Sequence, residues 1–223
     1  MINRHEFRKS TRGFVYDTLH EAIVSLELPP GTTISEKEMS EELEVSRTPV
    51  REAFLKLSEE ELLTVLPQRG SYISLIDLDH VEDARFLREQ AEAGIIRLAC
   101  QSFPDTYIQK LEKNLKYQKV AQENDDENEL FKLDKEFHRL LAEGAGKIRV
   151  WEVLQKNETD SNRLRRLSLT MKLNWEVLVD QHEEMIEAIK KKEADSAEKI
   201  IRKHLELLIY DQKALKESYP DYF

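Results

Sequence analysis

The sequence contains a single cysteine, Cys100, and no hydrophobic run that approaches the roughly 20 residues of a membrane span. One cysteine excludes an internal disulfide and a cysteine metal cluster, because both need at least two thiols. Residues 1–13 also lack the apolar segment of a secretory signal. These absences predict a cytoplasmic protein that is not inserted in a membrane.

An excess of positive charge is missing as well. The 223 residues include 34 Lys and Arg against 44 Asp and Glu, which gives a net charge of −10. This balance argues against indiscriminate binding to nucleic acids. The first 76 residues are not basic as a whole, and positive charge there is concentrated in local patches. The patches are Arg4, Arg8, Lys9 and Arg12 in an N-terminal arm, Arg47 with Arg51, and Arg69.

Residues 34–57 have the pattern of two short helices separated by a turn. Ser35 and Glu38 have the spacing of a capping box, and Met39 and Leu43 form an apolar stripe on the first helix. Ser46 is the predicted N-cap of the second helix. The apolar residues of the second helix that we expect to face the core are Val50, Phe54 and Leu57.

The opposite face of the second helix presents Arg47, Thr48 and Arg51 near the helix start. A DNA-recognition helix needs its base-reading groups there, and arginine can pair with guanine through two hydrogen bonds. A helical hairpin with an ordinary charged surface has the same spacing, so the pattern alone leaves both interpretations open. Residues 62–75 then alternate like two strands around Pro67-Gln68-Arg69-Gly70, which predicts a winged helix-turn-helix.

The stretch SRTPVREAFLKLSEEELLTVLPQRGSYIS closely resembles the DNA-binding domain of GntR-family bacterial transcription regulators, within a similarity over about residues 14–76. One departure is Glu61, where the family usually has a glycine that serves as a helix C-cap. The resemblance implies that DNA is contacted by Lys37, Ser46, Arg47, Thr48, Arg51, and Arg69 with Gly70 in the wing.

Asp77-Leu78-Asp79 marks the predicted boundary between a DNA-binding domain (1–76) and a second domain (77–223). No strand pattern follows this boundary. Helical periodicity covers six segments: 79–101, 105–123, 126–143, 148–171, 174–192 and 194–217. Six helices joined by short turns predict an antiparallel bundle. The predicted fold class is therefore mostly α, with a winged helix-turn-helix followed by a bundle of about six helices.

Four polar residues fall within the apolar stripes of three bundle helices: Asp134 and His138, His182, and His204. Burying them without partners would cost several kcal/mol. A divalent cation removes this cost, because neutral imidazoles and a carboxylate are ligands for zinc, nickel or manganese. A single buried histidine is usually a hydrogen-bonded core residue, so the hypothesis depends on all four residues turning into one bundle.

The segments LDKEFHRLLAEGAG, QHEEMIEAI and AEKIIRKHLELL resemble the effector-binding bundle of the FadR-like branch of the GntR family, the FCD domain. In that domain an Asp and three His hold a metal, which implies the same role for Asp134, His138, His182 and His204. Arg85 and Glu89 match its opening Arg-x-x-x-Glu. Gly146-Lys147 stands where the family often has Gly-Asn, and six helices resemble the VanR-like subgroup.

Two alternatives remain for the bundle. A metal-dependent hydrolase fused to a DNA-binding module is one, although His182 lacks the second histidine of an H-E-x-x-H motif and no nucleophile elbow is present. A structural metal without an effector is the other. An octahedral metal with four protein ligands would leave two positions for a small carboxylate. Its charge could be met by Arg85 and by the cluster Arg163, Arg165 and Arg166, for which a solvated basic face is the competing interpretation.

The sequence therefore predicts a transcription repressor, not an enzyme. It should bind a near-palindromic operator as a homodimer, because the two-fold symmetry of the protein matches two half-sites. The helical domain should bind a divalent metal and a small organic acid that alters operator affinity. The predicted effector contacts are Arg85 and Arg166.

Overall fold

The computed structural model describes residues 10–66 and 70–223, without the side chains of residues 209 and 210. The chain divides into two compact units, the first formed by the residues up to Ile76 with Tyr219–Phe223 and the second by Asp77–Ser218. The last five residues thus group with the first unit, where the backbone N–H of Ile76 donates to the Tyr222 carbonyl at 2.8 Å. No helix among the described residues combines the length and apolar character that a membrane crossing requires.

The described residues of the first unit form three α-helices, a small sheet and a 3-10 turn at Pro220–Tyr222. The two strands predicted for the wing are present as an antiparallel hairpin, in which Thr64 pairs with Tyr72 and Leu66 with Gly70. A two-residue strand on the other side of the hairpin was not predicted, because two residues are too few to show alternation. The elements are α1 (Thr11–Val24), β1 (Thr33–Ile34), α2 (Glu36–Glu42), α3 (Arg47–Glu59), β2 (Leu63–Leu66) and β3 (Gly70–Ile73).

Local signals position α2 and α3. The predicted capping box is present, since the Glu38 backbone N–H donates to Ser35 Oγ at 3.1 Å and the Ser35 hydroxyl donates to the Glu38 carboxylate at 2.8 Å. The apolar face of α3 is buried as predicted, and it packs against α1. Because the inner face is apolar, the opposite face of α3 remains in solvent. The buried residues are Val15, Leu19 and Ile23 on α1 and Val50, Phe54 and Leu57 on α3.

Glu61 stands at the end of α3, where the family usually has a glycine. Glu61 has a φ of 60°, in the left-handed region that favours glycine. The Leu62 N–H donates to the Leu57 carbonyl at 2.9 Å and the Glu61 N–H donates to the Ser58 carbonyl at 3.2 Å. These bonds have the pattern of a Schellman turn. The turn that a glycine would make is therefore kept, with a glutamate at the strained position.

The second unit is an all-helical bundle without strands among its described residues, as predicted. It has seven α-helices and not six, because the segment predicted as one helix over 148–171 is interrupted by a 3-10 turn at Gln155–Asn157. The similarity of helix number to the VanR-like subgroup therefore does not hold. The helices are α4 (Leu78–Gln101), α5 (Asp105–Glu123), α6 (Glu127–Gly144), α7 (Ile148–Leu154), α8 (Thr159–Thr170), α9 (Trp175–Lys191) and α10 (Ala194–Ser218).

The interruption has a tertiary cause. Glu158 is buried just before α8, where its Oε1 lies 3.2 Å from Arg88 Nε on α4 and its Oε2 accepts a hydrogen bond from Gln155 Nε2 at 2.6 Å. An ion pair with a residue 70 positions away leaves no trace in local periodicity. The turn after α6 is closed by Gly146, at a φ of 69°, and by the Lys147 N–H, which donates to the Ala142 carbonyl at 2.7 Å.

Candidate functional site

The recognition face of α3 is exposed and unpaired. Arg47, Thr48 and Arg51 lie in solvent on its first turns, and neither guanidinium forms an ion pair with any residue that the structure describes. Ser46 occupies the N-cap position, but its side chain makes no capping hydrogen bond. The hydroxyl expected to cap the helix is therefore free to contact a phosphate or a base.

The other predicted DNA contacts lie around α3. Lys37 on α2 is exposed, with its Nζ 3.9 Å from the Glu41 carboxylate. Gly70 begins β3 and is exposed, with a φ of 101°. Arg69 lies outside the described residues, as do Arg4, Arg8 and Lys9 of the predicted basic arm.

The four predicted metal ligands converge in the bundle. Asp134 and His138 come from α6, His182 from α9 and His204 from α10, and all four are buried. The helical period explains this convergence, because residues four apart lie on the same helix face. One potential ligand atom from each residue lies within 4.8 Å of the other three.

The distances fit a single ion. Asp134 Oδ1 lies 3.9 Å from His138 Nε2, 3.7 Å from His182 Nε2 and 3.9 Å from His204 Nε2. The Nε2 atoms of His138 and His204 are 3.2 Å apart. Ligands about 2.0–2.1 Å from one ion lie roughly 3–4 Å from each other. Asp134 Oδ1 and His182 Nε2 are buried without a hydrogen-bond partner, a deficit that a cation between them would remove.

The far side of each histidine ring is held by a side-chain oxygen. Nδ1 of His138 bonds Glu92 Oε2 at 2.5 Å, Nδ1 of His182 bonds Gln118 Oε1 at 2.7 Å, and Nδ1 of His204 bonds Gln181 Oε1 at 3.1 Å. An oxygen acceptor at Nδ1 places the proton there and leaves the Nε2 lone pair facing the cluster. Such outer partners orient metal-binding histidines.

The electrostatics keep the rings neutral. Burial lowers the pKa of His182 and of His204 well below the usual range, with neighbouring histidines adding to the effect. Burial also lowers the pKa of His138, although Glu92 opposes the shift. For Glu92, burial favours the neutral acid, but Arg88 and His138 outweigh burial and lower the pKa to about 2. Neutral imidazoles with an ionised outer carboxylate are the protonation states that metal binding requires.

A cavity of about 60 Å³ adjoins the cluster, with Asp134 and His204 in its wall. At roughly 10–15 Å³ for each water-sized group, it has room for about four to six such groups, the size of a small organic acid. Arginine side chains and leucines line most of the cavity. The wall also contains Asp211, whose carboxylate accepts hydrogen bonds from Ser168 Oγ and from Asn174 Nδ2.

The two arginines predicted to bind the effector differ in their position relative to the cavity. Arg85 lines it, although its guanidinium already bonds Glu82 and Glu89. Arg166 is not among the lining residues, and its guanidinium stacks 4.0 Å from the centre of the Phe131 ring. Arg165 is in the lining instead.

Arg165 and Arg163 do not form a solvated basic face, because both side chains are largely or fully buried. Arg165 donates to Asp134 Oδ2. Burial and the nearby Arg88 lower the pKa of Arg165 to about 9, so it remains charged at neutral pH. Arg165 therefore connects the predicted metal ligand Asp134 with the wall of the cavity.

Sequence reasoning missed Arg88 and Glu92. Both are buried; Glu92 bonds His138, and Arg88 lines the cavity with an Nη2 that has no hydrogen-bond partner. The signal was present, because the Arg-x-x-x-Glu spacing occurs twice on α4, at 85–89 and at 88–92. Spacing alone does not show which copy faces the bundle interior.

Two family models match the chain. The model described as "Bacterial regulatory proteins, gntR family" matches residues 11–73, and the FCD domain model matches residues 83–207. Both agree with the resemblances drawn from the motifs.

The relatives agree with the family models. The HTH-type transcriptional repressor RspR of Escherichia coli K12 is 33% identical over 209 residues, covering 94% of this chain and 92% of RspR. The gluconate operon transcriptional repressor of Bacillus licheniformis is 25% identical over 193 residues, covering 84% and 79%. The structure of E. coli McbR/YncC has the same fold, with a TM-score of 0.75, 19% identity and coverage of 94% and 99%.

These families and relatives are transcription regulators and not enzymes, which confirms the regulator prediction over the hydrolase alternative. Since one model covers the recognition helix and wing and another covers more than half of the chain, the protein belongs to the GntR family of DNA-binding bacterial transcription regulators and has a C-terminal FCD domain.

Proposed function

We propose that this regulator is a homodimeric repressor whose helical unit binds one divalent metal ion and a small carboxylic acid, and that the acid weakens operator binding. The observation that supports the metal most directly is the convergence of three Nε2 atoms on Asp134 Oδ1, which has no hydrogen-bond partner. Relatives that are named repressors support repression rather than activation of transcription.

The donor set suits the ion. Asp134, His138, His182 and His204 would hold it, and three imidazoles with one carboxylate fit zinc, nickel or manganese. When bound, the ion supplies positive charge at the edge of the cavity. Glu92, Gln118 and Gln181 fix the histidine rings, and this preorganisation reduces the entropy that is lost on binding.

The acid is proposed to lie in the adjoining cavity. Arg165 and the unpaired Nη2 of Arg88 would donate to its carboxylate, with Arg85 at the margin, and the leucines would cover its apolar atoms. The Asp211 carboxylate in the cavity wall is a hydrogen-bond acceptor, so the cavity favours an acid that also carries a hydroxyl or amino group as a donor.

The DNA-binding proposal concerns the exposed face of α3 and its surroundings. Arg47 and Arg51 are proposed to read bases, while Ser46, Thr48 and Lys37 contact phosphates or base edges. Arg69 and Gly70 remain the proposed wing contacts. Localisation in the cytoplasm follows from the proposed action on an operator.

Metal analysis of the purified protein tests the first step. We expect one ion per chain, and a chelator should lower the melting temperature because the ion binds the folded state. His182→Ala should abolish the binding, whereas His80→Ala, outside the cluster, should retain it. Protein that is metal-free, takes up no metal on titration and melts at the same temperature with chelator would exclude the metal proposal.

A further inference from the structure

One face of α4 exposes two large apolar side chains, those of Phe86 and Leu87, with 59% and 44% of their surface in solvent. Gln90 and Gly94 are also exposed and follow them along the helix. Successive residues of an α-helix are rotated by about 100° around its axis. Residues 83, 86, 87, 90, 94 and 97 therefore lie within roughly 60° of the line that runs along the helix through Gln90. Exposed large apolar groups clustered on one face are typical of an interaction surface.

A glycine lies in the middle of this face. Glycine weakens a helix interior relative to alanine. Packing within its own chain does not require a glycine at position 94, because an added Cβ would meet no described atom within 4 Å. The missing side chain therefore leaves a shallow depression that faces solvent.

The face is complementary to itself. The residues are placed symmetrically about Gln90 in the sequence. Phe86 and Gly94 lie four positions before and after Gln90, and Asp83 and Arg97 lie seven positions before and after it. If two copies of α4 cross antiparallel at Gln90, each Phe86 ring lies over Gly94 of the other copy. Asp83, which has no ion-pair partner among the described residues, then lies opposite Arg97 of the other copy.

Charged side chains border this face. Arg97 bonds Asp195 and Glu198 through Nη1 alone, which leaves the rest of its guanidinium available, and Arg202 bonds Glu89 beside the face. An apolar centre with a polar rim is the usual anatomy of a protein interface. The partner that matches both the depression and the charges is a second copy of the same helix.

We propose that α4 forms the two-fold interface of the homodimer, with Phe86 of each copy packed over Gly94 of the other and the axis at Gln90. This inference rests on the proposed homodimer and specifies its surface. A two-fold contact is isologous, so each substitution on this face acts twice in the dimer.

Sedimentation equilibrium of the full chain tests the interface. Phe86→Glu and Gly94→Leu should each raise the dimer dissociation constant at least 100-fold, because the first places a carboxylate at the contact and the second fills the depression. Val120→Glu is the matched control on α5, since Val120 is 51% exposed and lies outside the face. Circular dichroism should show that all three variants are folded.

A disulfide cross-link tests the same interface without a substitution that weakens the dimer. Residues on a two-fold axis face their own copies, so Gln90→Cys should form an intermolecular disulfide when oxidised glutathione is added, whereas Val120→Cys should not. A wild-type dimer that persists in Phe86→Glu and Gly94→Leu and does not cross-link at position 90 would overturn the α4 interface and leave the homodimer in place. A wild-type monomer at micromolar concentration would overturn both.

Discussion

Asp211 and the proposed metal ligand Asp134 are the acidic residues in the wall of the cavity. Burial raises the pKa of Asp211, although Ser168 and Asn174 oppose the shift through hydrogen bonds. A carboxyl with a raised folded pKa binds protons more tightly in the native state than in the unfolded chain. Its contribution to stability is present below the unfolded pKa and is lost as the pH rises through the folded pKa. Asp211 therefore destabilises the protein at neutral pH.

Asp211→Asn should remove this penalty. We expect the variant to be more stable than the wild type at pH 7, and the difference to shrink as the pH falls toward 4. It should also bind the proposed acid more weakly, because the hydroxyl or amino group of the acid loses a charged hydrogen-bond acceptor. Urea unfolding at pH 7 and pH 4 measures the first effect; a variant that is less stable at both pH values would contradict this role.

The recognition helix offers a second test at single residues. Arg47→Ala and Arg51→Ala should each weaken operator binding by roughly 1–3 kcal/mol if they read bases, without a change in stability. Arg149→Ala, an exposed arginine of the helical unit, is the control. Fluorescence anisotropy with operator and random duplexes separates the possibilities. Equal losses on both duplexes would show that the two arginines contact phosphates only.

Residue patterns predicted the convergence of the four proposed metal ligands, but not the side chains that hold the histidine rings. Asp134 and His138 are four apart on an apolar stripe, and His182 and His204 occupy equivalent stripe positions, so the helical period places all of them in the interior. Glu92 and Gln118 come from other helices, and their sequence distance to the histidines has no fixed value. Arg165 lines the cavity and Arg166 does not. Helical spacing could not separate the two residues, because the edge of a stripe borders both the cavity and the bundle surface.

At the scale of single elements, the end of α3 is the clearest case. The Schellman turn forms with Glu61 at a φ of 60°, where a non-glycine residue costs about 1–2 kcal/mol. Glu61→Gly should therefore stabilise the chain by up to about 1 kcal/mol, after the extra backbone entropy of glycine is subtracted. Glu59→Gly, on the last residue of the same helix, should instead destabilise it.

Thermal unfolding of these two variants measures the contrast. Destabilisation by both substitutions would mean that the Glu61 side chain compensates for its strain. Element prediction otherwise succeeded where caps and periodicity agree, as at Ser35 and along α6. It failed where a distant ion pair decides, as at Glu158 between the 3-10 turn and α8.

At the scale of the whole molecule, the chain combines a DNA-binding unit with a bundle that buries a cluster of three histidines and an aspartate. A ligand of the bundle can act on DNA only if it binds one arrangement of the dimer better than another. A coupling of about 1–3 kcal/mol would change operator affinity by roughly 5- to 150-fold, which is enough for a genetic switch. The fold class and the two domain types could be predicted from motifs, but the identity of the acid depends on cavity shape.

The most direct test of this account is reciprocal linkage, measured by calorimetry on the metal-loaded protein. A small carboxylate selected by thermal shift should bind roughly 5- to 150-fold more weakly when operator DNA is present, and the operator should lose affinity by the same factor when the acid is present. His204→Ala and Arg165→Gln should abolish or weaken acid binding, whereas Arg166→Gln should not. An acid that binds through these residues with equal affinity in the presence and absence of operator would contradict the account.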